Sequence, residues 1–338
     1  MRLDLEALRP RLRGAARNVV ARLPQLGELL RERDALRLER DALQAELGQL
    51  RARPGDGLQF VPAGHFYSAL PSLAWVREHA EALYGPPPRT LPGVELREEA
   101  QLGLLEQLLP FYADQPFPAA RHPGFRYWFD NPAYAWSDGL FLQAMLRHLR
   151  PRRVVEVGSG YSSCLTLDVR ERYLGGAAAV GCTFVEPYPA LLQELLRPGD
   201  AAEITVLPVP VQEAPLAVFE ALEPNDVLFI DSTHVVKLGS DVNHLVFEVL
   251  PRLRPGVHVH VHDIFFPFEY PLQWVLEGRT WTEGYLLRAF LQFNRGFEVV
   301  LCNTFLQHFH HPWFQAHMPL ALRNRGGHLW LRRTGSGG

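Results

Sequence analysis

Lysine is nearly missing from this chain: of 34 basic residues, only Lys237 is one. Arginine stands almost everywhere else, so the exception invites a site role, either on a substrate hydroxyl or paired with Asp241. Cysteine is sparse, at positions 164, 182 and 302. An odd, scattered set supports neither a disulfide framework nor a zinc ribbon, and it suits a reducing compartment. No apolar run approaches the ~20 residues of a membrane helix. The arginine-rich N-terminus has no apolar core ahead of a small-residue cleavage site, so no secretory signal is read there. A cytoplasmic location is expected. The formal net charge is −3, which gives no global basic field for nucleic acid. Internal repeats and long low-complexity stretches are lacking too. What is present is a 338-residue chain that is 47% hydrophobic, enough for a large core with a smaller appended piece.

Three segments follow from composition and punctuation. Residues 1–53 are rich in Leu, Arg, Glu and Ala, with Leu29, Leu36, Leu43 and Leu50 recurring every seven residues. Arg33 and Arg40 interrupt the alternate positions, so the seam is imperfect. It predicts a long helix, either a coiled coil that makes a homo-oligomer or an amphipathic helix packed on its own domain. The six arginines among residues 2–22 also suit an anionic membrane surface. Arg53-Pro54-Gly55-Asp56-Gly57 ends that helix. Residues 54–136 read as a helical and aromatic cap region, with helices near 71–84 and 95–113. The helix SDGLFLQAMLRHL, capped by Ser137, opens the third segment, 137–338.

From residue 152 onward strands alternate with helices. Strands are expected at 153–157, 180–185, 204–209, 226–230, 256–262, 297–302 and 327–332. Helices are expected near 162–173, 189–196, 214–221, 240–252 and 283–294. Such alternation means parallel strands with crossover helices, an α/β doubly wound sheet. Only a loop is read at 303–326, and a tight pairing of the last two strands would put an antiparallel strand at one edge.

The first of these strands runs into Glu156-Val157-Gly158-Ser159-Gly160, and a helix starts near Ser162. Ligands of open α/β sheets sit beyond the carboxyl ends of the strands, where glycines allow close backbone approach. A dinucleotide site wants GxGxxG, but the third position here is Ser163. Glu156 would repel a pyrophosphate and attract the ammonium of an amino-acid ligand. The acid therefore favours S-adenosylmethionine (SAM). Glu186, at the end of the second strand, suits ribose hydroxyls, and Gln212 and Glu213 could meet an adenine edge.

A second group gathers on the fourth and fifth strands. Asp231-Ser232-Thr233-His234 follows one, and His258-Val259-His260-Val261-His262-Asp263 forms and ends the other. Neighbouring strands lie about 4.8 Å apart, so Asp231, His234, His262 and Asp263 should share one small volume beside the SAM site. Carboxylates forced together want a proton or a cation. Carboxylates suit Mg²⁺ or Mn²⁺, and histidine shifts the choice toward Mn²⁺, Fe²⁺ or Zn²⁺. His258 and His260 read as core residues. The aromatic stretches 264–274 and 307–313 should overlie the same edge and either wall an acceptor pocket or form a satellite core, with 64–68 and 130–138 closing the site from the N-terminal side.

The ordered set of ExGxG at 156–160, Glu186 and seven strands resembles the class I SAM-dependent methyltransferases over roughly residues 130–333. The family's third small position falls on Ser162. Within that class, the acids and histidines resemble metal-dependent O-methyltransferases that act on sugars of natural products. The resemblance implies SAM contacts at Glu156, Gly158, Ser159, Gly160, Ser162, Glu186, Gln212 and Asp231. It also implies a divalent ion on Asp231, His262 and Asp263, with His234 as base and catalysis shared by Asp231 and Lys237. His262 departs from the carboxylate found in those relatives. The implied acceptor is a hydroxyl of a sugar-containing or other small molecule. The alternatives are an NAD-dependent oxidoreductase or epimerase, a non-catalytic oligomeric scaffold on the same fold, and oxygen chemistry at the metal site.

Overall fold

The computed structural model describes residues 60–335 and several helical positions between 29 and 40. Leu29 and Leu36 are helical and exposed. Leu43, Leu50, the arginine-rich 2–22 stretch and most of the expected N-terminal helix lie outside the described residues. The chain divides into two compact units, residues 1–71 and 72–338. In the first, residues 60–71 form a run of turns in which Phe66 and Tyr67 are exposed, their rings tilted against each other with centroids 4.4 Å apart.

The second unit is built on a seven-stranded sheet of order β3-β2-β1-β4-β5-β7-β6. Its strands are β1 Arg153–Val157, β2 Gly181–Val185, β3 Thr205–Leu207, β4 Val227–Ile230, β5 His258–His262, β6 Phe297–Cys302 and β7 His328–Arg333. Each lies within two residues of its expected bounds. β1 to β5 are parallel, and β7 is antiparallel to both β5 and β6. The antiparallel element expected near one edge is thus β7, inserted between β5 and the outermost strand β6. β4 and β5 are buried along their whole length, as strands covered on both faces must be.

That burial explains two of the three histidines on β5. His260 is fully enclosed, parallel to the Trp330 ring at 4.5 Å and edge-on to Phe229 at 4.4 Å. Burial drives its pKa well below the usual value, and pushes His258 down to about 4. Both are neutral core residues, as expected.

Two local expectations are corrected. Ser137 does not cap its helix, which runs Trp136–Leu149 from Ala135. Its hydroxyl points inward and accepts from Gln307 Nε2 at 3.1 Å. Residues 303–326 are not a loop: they hold the helices Asn303–Phe309 and His311–His317 and a short turn of 3₁₀ helix. His310 and Trp313 there bond to Glu98 and Glu106 of the helix Glu98–Ala113. The 307–313 stretch is therefore packed on that helix, while its His308 lines a cavity with Phe266, Pro267 and Leu272.

Candidate active site

Strand register brings the chemistry together. Val157 of β1 lies beside Val185 of β2 and Ile230 of β4, and Ile230 lies beside Val261 of β5. The next residues along these strands are Glu186, Gly158, Asp231 and His262, aligned along one edge of the sheet. Gly158 has φ +83°, and a Cβ there would stand 1.8 Å from the carbonyl oxygen of Asp231. The nearest reason for that glycine is thus the chain itself: the tips of β1 and β4 touch.

Around the glycine turn, Glu156 is fully buried and accepts a hydrogen bond from Ser162 Oγ at 2.5 Å. Burial raises its pKa to about 8, against the opposing effect of Ser162 and Ser163. Its second oxygen, Oε2, has no partner, and neither do the buried Ser159 Oγ, Ser232 Oγ and Tyr134 hydroxyl. Buried polar atoms left over in this way call for a polar ligand or ordered water. Glu186 accepts from the backbone N–H groups of Ser159 and Tyr188. Gly160 donates its N–H to Ser163 Oγ. Gln212 is exposed and donates to the Gly239 carbonyl.

At the ends of β4 and β5, one ligand atom from each of Asp231, His262 and Asp263 lies within 4.8 Å of the others, the only such trio among the described residues. His262 Nδ1 is 3.3 Å from Asp231 Oδ1 and 3.8 Å from Asp263 Oδ2. Its Nε2 is engaged at 3.3 Å by Asp138 Oδ1. Asp138 is itself steadied by Asn324 Nδ2 and the Gly327 N–H. His234 Nε2 is 3.3 Å from Asp231 Oδ1, and its Nδ1 donates to Glu283 Oε2 at 2.8 Å. The loop holding His234 is clamped from residues 282 and 283, whose N–H groups both donate to the His234 carbonyl. His234 and Asp263 both sit at positive φ, 60° and 55°, a costly backbone state for residues other than glycine.

The charges follow from the geometry. Burial alone would lower His234, but hydrogen bonds to Asp231 and Glu283 outweigh it and raise the imidazole to about 10. His262 is likewise raised well above its usual value by Asp263, Asp231 and Asp138, against burial. Asp231 is held well below the usual carboxylate range by the two histidines, again against burial. Burial raises Asp263 and Glu283. Four carboxylates thus surround two imidazoles.

Asp231, His234, His262 and Asp263 therefore converge, and Glu156, Ser162 and Glu186 line the adjoining turn. Lys237 does not converge with them. It is exposed, its backbone N–H bonds to Ser240 Oγ, and its ammonium makes no hydrogen bond or ion pair among the described residues. Asp241 is engaged by Thr233 instead. Asp138 and Glu283 were not read from sequence as site residues. Each reaches a histidine far away in the chain, and each looks locally like an ordinary acid in the first turn of a helix.

A family model described as a methyltransferase domain matches residues 155–264, which span Glu156 to Asp263. A protein of Archaeoglobus fulgidus, described as uncharacterized, is 32% identical over 175 residues, covering 49% of this chain and 76% of its own length. The chain carries a methyltransferase domain on a class I methyltransferase fold. Solved structures of similar type include an SAH-bound methyltransferase of Podospora anserina, at 13% identity and a TM-score of 0.39, covering 83% of this chain and 100% of that one. CalS11, a TDP-rhamnose 3′-O-methyltransferase of calicheamicin biosynthesis, is 14% identical with a TM-score of 0.40, covering 70% and 93%. TomG of Streptomyces achromogenes, in complex with SAM, is 16% identical with a TM-score of 0.33, covering 77% and 96%. The assignment rests on the domain match. No helix among the described residues of this methyltransferase is long and apolar enough to cross a membrane.

Proposed function

We propose that this methyltransferase takes its methyl group from SAM and delivers it to a hydroxyl oxygen of a small molecule, at the cluster formed by Asp231, His234, His262 and Asp263. The observation that carries the reading is the meeting of that cluster with the glycine turn through the Gly158–Asp231 contact. SAM supplies a methyl group on a positively charged sulfur. The partnerless Glu156 Oε2 suits its ammonium, and Glu186 at the end of β2 suits its ribose hydroxyls.

An alcohol is a poor nucleophile until its proton is removed. His234 is placed to take that proton on Nε2, with Glu283 holding the resulting imidazolium through Nδ1. Raised to about 10, His234 already carries a proton near neutrality, because Asp231 and Glu283 stand against it. A cation taking up the charge of Asp231 would remove part of that hold and favour the base role. The donor set fits one: two carboxylates and the Nδ1 of His262, whose Nε2 is already committed to Asp138. A divalent ion there would supply Lewis acidity to the acceptor hydroxyl. Asp231, His262 and Asp263 would hold it, and the protein otherwise aligns oxygen and methyl group for in-line transfer.

The test is a thermal-shift comparison on the full-length protein with SAM, S-adenosylhomocysteine (SAH) and NAD, with and without Mn²⁺. SAM and SAH should raise the melting temperature by several degrees and NAD should not. A response to NAD alone would replace this reading with an oxidoreductase.

A further inference from the structure

A cavity of about 600 Å³ opens beside the acid–imidazole cluster, with His262 and Asp263 in its lining. Phe265, Pro271 and Trp274 form much of its apolar wall. Two arginines, Arg279 and Arg325, also line it, as does the carboxylate of Asp138. Both arginines lie over aromatic rings. The Arg279 guanidinium carbon is 4.5 Å from the Trp274 centroid and 5.5 Å from that of Trp281, and Arg325 is 5.5 Å from that of Phe265. Trp281 in turn packs 4.4 Å from the His234 ring.

A guanidinium lying over a ring is held in place while its N–H edge stays available, and that edge matches the two oxygens of a carboxylate or phosphate. Little in the protein uses it. The ion partner of Arg279 is Glu277, two residues away, reached only through Nε at 3.5 Å with both side chains more than 40% exposed. Arg325 has no carboxylate partner among the described residues, and it donates no hydrogen bond there. The cavity thus combines an apolar wall, two cationic forks and, at one end, His262 and Asp263 of the acid–imidazole cluster.

We propose that the acceptor is anionic: a hydroxyl compound carrying a carboxylate or phosphate that Arg279 and Arg325 grip while the hydroxyl lies at the Asp231–Asp263 cluster. This rests on the methyltransferase reading above and narrows its acceptor. No change in the transfer step is implied. The alternative is that the two arginines merely offset the charge of the neighbouring aspartates, in which case they would not separate an anionic ligand from a neutral one of the same shape.

The experiment is calorimetric titration of the full-length, SAH-saturated protein with two matched pairs. One pair is 3,4-dihydroxybenzoate and 3,4-dihydroxybenzamide; the other is glucose 1-phosphate and methyl glucoside. In at least one pair the anion should bind tenfold or more tightly than its neutral counterpart, and the pair that responds distinguishes carboxylate from phosphate. In the Arg279→Ala/Arg325→Ala double variant that preference should fall to within twofold, while SAH affinity stays unchanged. Equal binding within both pairs, or a preference that survives the double substitution, would overturn the proposal. Loss of SAH binding in the unmodified protein would instead remove the methyltransferase reading, and this inference with it.

Discussion

Arg126 and His234 both lie buried among carboxylates, yet their surroundings differ in kind. Arg126 faces Asp168, Asp200 and Glu171 at 2.6 to 2.8 Å, and the Arg126 and Tyr127 N–H groups bond to Asp168 as well. Those hydrogen bonds hold the guanidinium charged against the cost of its burial. That cluster is saturated: it ties residues 126–127 to the helix Tyr161–Tyr173 and to Asp200, and leaves nothing for a ligand. The cluster at β4 and β5 is unsaturated. It has more carboxylates than cations, two residues at positive φ, and partnerless polar atoms at the adjoining turn. Ionic burial by itself says little about function; an excess of one sign, held in a strained backbone, says more.

The widest separation between the two clusters should appear on substitution. Arg126→Met leaves Asp168 and Asp200 buried without a counter-charge, and it should cost about 3–5 kcal/mol in urea unfolding while the folded fraction keeps its kcat. Asp231→Asn should also lose stability, since His234 and His262 lose a partner, but its folded fraction should fall in kcat by about a hundredfold or more. If both variants failed in the same way, the contrast would be lost.

Removing the charge behind His262 sharpens the comparison further. Asp138→Asn should weaken Mn²⁺ binding by about 10–100-fold in calorimetry, whereas Asp168→Asn should leave metal affinity where it was.

A smaller effect is expected from Glu156, which belongs to neither cluster. Its pKa is raised from the ordinary carboxyl value to about 8 by burial. The folded protein therefore holds this proton more tightly than the unfolded chain. The resulting stabilisation is complete below the ordinary carboxyl pKa and is lost as pH rises toward about 8. An ammonium ligand needs the ionised form, so SAM affinity should climb with pH below 8, by up to about tenfold per unit. Glu156→Gln should bind SAM weakly at every pH and flatten that slope.

The least change belongs to Lys237→Ala, for which turnover should stay within about twofold, since its ammonium reaches neither cluster.

The sequence was most informative where chemistry and strand register coincide. Asp231 and Asp263 each directly follow one of two neighbouring strands, so β-pairing alone predicts their approach. The core roles of His258 and His260 were readable because an alternating pattern on a central strand must face packed layers. Asp138 and Glu283 were not legible in this way. Their partners lie 124 and 49 residues away, and no local pattern marks which helix-terminal acid will meet an imidazole. The helices within 303–326 were hidden by a run of histidines, aromatics and a proline that obscures the helical period. Ser137 misled for a related reason: a residue suited to capping can equally serve as an inward acceptor for Gln307.

The absent side chain at Gly158 has a mechanical consequence. With the Asp231 carbonyl filling the space where a Cβ would stand, the glycine turn cannot shift without displacing Asp231. Under the proposed function, loading of the donor and alignment of the acceptor would thereby be geared together.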